Sequence, residues 1–289
     1  MSFRATMLWA AAVCFCTLVV AVGARAEEID TEHLFGFLIG TDIGHVGERE
    51  FQTETTGSFS RNGGSYRAVT QEFEVELVPA RDIRIELGGA FVAHQIYGVP
   101  GLDDRRQLTW QGLSLDVRYR FLDRETAPFG MTLAVESHSD RIDETTADRI
   151  RNFGTEFRLA FDRELVPNFL VAALNFIYQP EWTRFLASRA AEQEATVGTA
   201  VGVMAQIRPG FFVGCEARYL RHYEGIGLNE FEGQALFIGP VAYLQLSERS
   251  RLTAAWSVQA WGRAAGSTAA LDLVNFERHQ ARLVFGMNF

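Results

Sequence analysis

The 289-residue chain carries 27 basic against 36 acidic side chains, a net charge of −9, and 47% of its residues are hydrophobic. That acidity argues against a nucleic-acid-binding surface. Beyond residue 26 no apolar run approaches the ~20 residues a membrane helix needs, so a helical membrane bundle is excluded. Every basic residue is Arg, whose planar fork suits carboxylate pairing, although codon usage accounts for that bias equally well.

Residues 1–26 read as a cleaved secretory signal peptide. Arg4 precedes an apolar run from Met7 to Val22, and Ala24-Arg25-Ala26 supplies the small-x-small end. Cys14 and Cys16 fall inside it, which leaves Cys215 alone and no disulfide within the mature chain. Residues 27–45, with Leu34, Phe35, Phe37, Leu38 and Ile39 ahead of a Gly-rich GTDIG, are expected to form a periplasmic lead-in.

From residue 46 to 289 the pattern has a period of two, the mark of strands with one apolar face. The first strand, near 46–57, alternates most weakly. The second sets Phe73, Val75 and Leu77 against Glu72, Glu74 and Glu76, and the third sets Ile83, Ile85 and Leu87 against Arg84 and Glu86. In the fourth, Leu115, Val117 and Tyr119 oppose Asp116, Arg118 and Arg120. In the fifth and sixth, Leu133, Val135, Phe157 and Leu159 oppose Glu136, His138, Glu156 and Arg158. The ninth places Val213 and Cys215 opposite Glu216 and Arg218. The tenth is apolar on both faces, which leaves its register open. The twelfth alternates Leu283, Phe285, Met287 and Phe289 with Arg282, Gly286 and Asn288, Val284 being the exception.

Short connections follow the even strands, and longer ones are expected at 97–106, 139–150, 179–193, 223–232 and 264–275. Aromatics sort by strand end, with Phe121, Phe129, Phe161, Phe169, Phe211 and Phe289 at one level. Tyr97, Trp110, Tyr178, Trp182, Tyr223, Trp261 and Phe276 stand at the other. An even strand count, alternating loop lengths and two aromatic girdles predict an all-β, transmembrane, antiparallel up-and-down β-barrel of about twelve strands.

In such a barrel the polar faces line the lumen: Glu72, Glu74, Glu76, Arg84, Glu86, Asp116, Arg118, Arg120, Glu136, Glu156, Arg158, Glu216 and Arg218. Neighbouring strands would bring Arg84 to Glu76, Arg118 and Arg120 to Glu86 or Glu136, and Arg158 to Glu136. These groups form either a selectivity constriction for small solutes or a salt-bridged plug that only stabilises the wall. No catalytic residue, cofactor or metal site is assigned. His138 and Ser139 point to opposite faces, and His94, His138 and His222 lie on strands that are not neighbours.

The final strand, closing on Phe289, resembles those of Gram-negative outer-membrane β-barrels. In that family the residues matching Leu283, Phe285, Met287 and Phe289 form the signal read by the barrel-assembly machinery. The segments RNGGSYRA, GVPGLDDR, PEWTR, GCEARYLR and FERHQARLVFGMNF resemble an uncharacterised proteobacterial outer-membrane barrel family. The resemblance implies an outer-membrane location, among outer-membrane lipid and lipopolysaccharide, and no established activity. The expected role is a narrow channel or passive transporter for a small solute. A structural or surface-interaction barrel with an occluded lumen is the alternative, and a lipid- or peptide-modifying enzyme is a third reading.

Overall fold

Twelve antiparallel strands close on themselves in a computed structural model that describes residues 29–289; the expected signal peptide lies outside the described residues. The strands are β1 (Arg49–Phe59), β2 (Ser65–Ala80), β3 (Ile83–Tyr97), β4 (Arg105–Leu122), β5 (Gly130–Asp140) and β6 (Ile150–Val166). They continue as β7 (Leu170–Phe185), β8 (Ala191–Arg208), β9 (Phe211–Glu224), β10 (Glu230–Ser247), β11 (Ser250–Ala264) and β12 (His279–Asn288). Each pairs with its neighbour in sequence. β1 closes the ring on β12, with Thr53 opposite Phe285 and Gly57 opposite Ala281, so neither strand is left as an open edge.

One end of the barrel carries tight turns at 81–82, 167–169, 209–210 and 248–249 and a longer one at 123–129. Pro209-Gly210 makes the β8–β9 turn, where Gly210 takes a left-handed φ of 73° that an L side chain resists. The other end carries the connections 60–64, 98–104, 141–149, 186–190, 225–229 and 265–278. Several are shorter than the pattern predicts. The PEWTR segment at 180–184 belongs to β7, because strand pairing continues past the apolar belt into a tall polar rim.

Side chains alternate in and out along nearly the whole wall. Outward, Phe73, Val75, Leu87, Leu113, Leu115 and Trp256 are among the large apolar side chains left 43–61% exposed. A continuous apolar surface of that extent is far beyond what a water-facing monomer shows and matches a bilayer-covered belt. Phe121, Phe129 and Phe169 border it at the turn end, and Tyr97, Trp182 and Trp261 at the loop end, all exposed. Phe276 departs from the expected girdle. It is 9% exposed and turns inward onto Phe237, ring centroids 6.2 Å apart.

β10 resolves its ambiguity with Ala235, Phe237, Val241 and Tyr243 toward the lumen and Ile238 outward. The lumen face is apolar there because it is covered from within, Ala235 and Phe237 by Phe276 of the β11–β12 connection, and Val241 and Tyr243 by an apolar segment that precedes β1. That segment organises the site.

Candidate functional site

Residues 29–45 do not hang below the barrel as a lead-in; they fill the turn end of the lumen. Leu34, Phe35, Phe37 and Leu38, none more than 5% exposed, pack with Val171, Ala173, Ala200, Met204, Phe212 and Val241 of β7 to β10. An apolar run without strand alternation has to be buried somewhere, and the apolar quarter of the wall receives it. Its backbone is irregular, so the wall must also satisfy its polar groups. The Glu216 carboxylate accepts from the amides of Gly36 (2.6 Å) and Phe37 (2.9 Å). Asn175 accepts from Ile39 N (2.9 Å) and donates to Ile39 O (3.0 Å). Asp162 accepts from Thr41 N (2.8 Å), and the Thr132 hydroxyl donates to Thr41 O (2.7 Å). The Arg218 and Arg282 guanidinium groups lie over the Phe37 ring, 3.9 and 4.8 Å from its centroid.

Above the segment, the strand register sets six carboxylates in one row. Glu50, Glu76, Glu86, Asp116, Glu136 and Glu156 stand directly opposite one another across β1 to β6. Like charges at opposed positions repel. A parallel row two residues away offsets part of that repulsion with arginines, Arg84 standing opposite Arg118, and Arg158 two strands further on, across Ala134. Arg84, 1% exposed, reaches Glu76 (2.5 Å), Glu86 (2.8 Å) and, from the buried segment, Glu32 (2.9 Å). Arg118 binds Asp116 (2.6 Å) and lies 3.7 Å from Glu86, and Arg158 binds Glu156 (2.5 Å). Arg251 pairs with Glu50. Glu136 carries no ion pair among the described residues, and Arg158 pairs with Glu156 rather than with it.

Arg120 is inside too, yet not beside Glu86 or Glu136 as the strand pattern suggested. It pairs with Asp82 (3.0 Å) and Asp123 (3.3 Å), because it stands at the turn end where the neighbouring turns present aspartates. Asp42 of the buried segment lies 3.8 Å from it and binds Arg124 at 2.7 Å.

Burial pushes the Asp42 carboxyl from 3.8 up to about 6, against the pull of Arg124. A carboxyl raised in the folded state contributes fully below pH 3.8 and loses that contribution as pH rises through about 6. Burial raises Glu32 likewise and lowers His33, whose effect has the opposite sign. The Asp42 share is isolated by Asp42→Asn. Amide protection factors at 41–44 should fall from pH 4 to pH 8 in the wild type and fall less in the variant. Identical pH profiles would mean that Asp42 does not hold the segment in place.

Between the segment and the loop end lies a cavity of about 510 Å³. Twelve carboxylates line it against four guanidinium groups, Arg84, Arg118, Arg158 and Arg282. Glu72, Glu74, Glu86, Glu136 and Glu156 of the expected set face it, as do Glu54 in a weakly alternating strand, Glu181 in a stretch read as loop and Glu194 just past that stretch. Loops narrow its far end. Arg61 donates to Val274 O (2.7 Å), Asn275 O (3.2 Å) and Thr145 Oγ1 (3.2 Å), joining three connections.

The histidines occupy separate stations. His94 Nε2 lies 2.8 Å from Glu144 O, holding the β5–β6 connection. His138 lies 3.7 Å from Asp140, a partner two residues on along the same face that a triad search by sequence overlooks. His222 stands between Glu194 and Glu232 near the loop end of β9. Cys215 is exposed on the outer face. Leu283, Met287 and Phe289 are outward and 43–65% exposed, and Phe285 shares their face.

Solved barrels share this fold at low sequence identity. The COG4313 outer membrane channel from Pseudomonas putida F1 is similar with a TM-score of 0.59 and 10% identity, over 86% of this chain and 98% of that one. The beta domain of the Bordetella autotransporter Brka is similar with a TM-score of 0.50 and 14% identity, over 85% and 100%. No curated protein matches in sequence. Residues 27–289 match one family model throughout, and the chain belongs to that family, described as Family of unknown function (DUF6662).

Proposed function

We propose that the protein is an outer-membrane channel for small cationic solutes, closed on its periplasmic side by its own residues 29–45. The observation that carries this reading is a chamber where carboxylates outnumber arginines three to one, with Glu86, Glu136 and Glu156 of the six-carboxylate row among those facing it. Rings of carboxylates favour cations in a pore, and an unpaired Glu136 leaves one such group free to meet them. The outward apolar belt supports membrane residence, and short turns with both strand termini at one end support a periplasmic orientation for that end. A fold neighbour is itself described as an outer membrane channel.

Planar-bilayer recording tests it. The wild type should conduct weakly. A variant lacking residues 30–44, or one with Phe37→Ala and Glu216→Gln to loosen the segment in place, should conduct at least several-fold more, with cation preference. Adding Glu136→Arg should reduce that preference. Anion preference, or unchanged conductance in both loosened variants, would overturn the channel.

A second reading, an occluded structural barrel, is favoured by how thoroughly the segment is anchored by apolar packing, hydrogen bonds and Arg84. Loosened variants that stay non-conducting while remaining folded would establish it. The exposed Leu283, Met287 and Phe289 row supports recognition by the barrel-assembly machinery. Deleting Phe289 should lower the amount assembled in cells while leaving refolding from urea into detergent intact; equal assembly would dismiss that role.

A further inference from the structure

We infer that Glu194, His222 and Glu232 form a binding site for a divalent transition-metal ion at the loop-end mouth of the lumen. The three ligand atoms come from three adjacent strands, β8, β9 and β10, and all lie within 4.8 Å of one another. His222 Nε2 is 3.5 Å from a Glu194 oxygen and 3.3 Å from a Glu232 oxygen. Those separations are long for charge-assisted hydrogen bonds, which run about 2.7–2.9 Å. They fit the edge of a coordination tetrahedron, about 3.4 Å for metal–ligand bonds of about 2.1 Å.

Two further features build the site. Register in the β9–β10 ladder slips between Phe231 and Gly233, so Glu232 is the extra residue of a bulge. Gly233 sits opposite inward-facing His222, and unbroken alternation would send Glu232 to the outer face. The bulge is what brings its carboxylate to His222, and bulges that re-aim a side chain cluster beside functional sites. The Glu232 carbonyl is also pinned, accepting from Ala265 N (2.7 Å) and Asn275 Nδ2 (3.0 Å) of the β11–β12 connection. On the other side, Thr196 Oγ1 lies 3.1 Å from His222 Nδ1, which holds the ring with Nε2 toward the carboxylates. A partner on the second ring nitrogen is the usual outer support of a metal-bound histidine.

One imidazole with two carboxylates suits Zn²⁺, Co²⁺ or Ni²⁺ over hard Mg²⁺ or Ca²⁺, which prefer all-oxygen shells. The three side chains are 22–37% exposed, so an ion reaches them from the mouth and water or a further ligand completes the shell. The Glu194 and His222 side chains also line the acidic cavity, placing the site where an ion would pass into it.

The test is titration of the folded, detergent-solubilised full-length chain with Zn²⁺ by calorimetry, and with Co²⁺ by its visible absorption, in a non-chelating buffer. One saturable site is expected, with a tetrahedral-type Co²⁺ spectrum. His222→Ala should weaken it by about a hundredfold or more, and Thr196→Val by about tenfold. His138→Ala, which leaves the site intact, should bind as the wild type does. Absence of binding in the wild type would reduce the cluster to a protonated His222 ion pair and overturn the site, as would unchanged affinity in a folded His222→Ala. Neither readout needs ion flux, so loosened variants that bind Co²⁺ without conducting refute the channel and keep the site.

Discussion

Arg84→Met is expected to lower stability by about 3–5 kcal/mol, the cost of breaking a buried ion pair from one side. The arginine is 1% exposed and binds Glu32, Glu76 and Glu86 together, so its loss leaves three carboxylates facing each other with little water. Methionine fills most of the volume, which makes the loss electrostatic rather than a cavity effect. Arg84→Lys keeps the charge but not the fork, and one ammonium cannot serve three carboxylates at the same geometry. It should fall between the wild type and Arg84→Met. Urea unfolding followed by tryptophan fluorescence in detergent or bilayer measures the series. Because protonation relieves the stranded carboxylates, the Arg84→Met deficit should shrink on acidification. An Arg84→Met variant as stable as the wild type would mean the charge row is solvated well enough to need no counterion. The same substitution also cuts the tie between the wall and Glu32, so the lumen segment should loosen along with the wall.

Strand faces were legible because a half-buried strand has a period of two, and Glu72, Glu74 and Glu76 or Arg84 and Glu86 could hardly face lipid. Much of what escaped the sequence comes from contact between parts of the chain far apart in order. Leu34 to Ile39 alternates like neither strand nor helix, and nothing local reveals that β7 to β10 keep an apolar patch for it. β10 was unreadable for the complementary reason, since Val241 faces the segment and Phe237 faces Phe276 of the β11–β12 connection, and both make the lumen locally greasy. Phe276 has an interface residue's chemistry yet turns onto Phe237 once its loop folds over the mouth. The pairing of Arg120 with turn aspartates depends on how high each strand stands, which alternation does not encode. The Glu194, His222 and Glu232 cluster was hidden because Glu232 falls in the expected 223–232 connection, and because alternation carried back from Gly233 would in any case put it on the wrong side of the wall without the bulge.

Leu115→Arg carries the other large expectation, and it bears on the premise under every functional reading. Leu115 is 43% exposed and points outward from β4, midway between Trp110 and Phe121, so a lipid-covered belt places it near the hydrocarbon midplane. An arginine there should cost about 2–4 kcal/mol, falling to about 0–1 kcal/mol near an interface. Leu246→Arg supplies the comparison, since Leu246 is 50% exposed but next to last in β10, at the turn end. Both leucines are outward and open to the surroundings, so in water the two substitutions would be nearly equal and nearly harmless. In a bilayer they separate by a few kcal/mol, read from unfolding midpoints in phospholipid vesicles against the same pair in detergent. The sign of that difference follows from the medium alone, because neither side chain contributes to the lumen. Equal, small effects in vesicles would mean that something other than lipid covers the Leu and Phe rows, and a pore through a membrane would lose its footing.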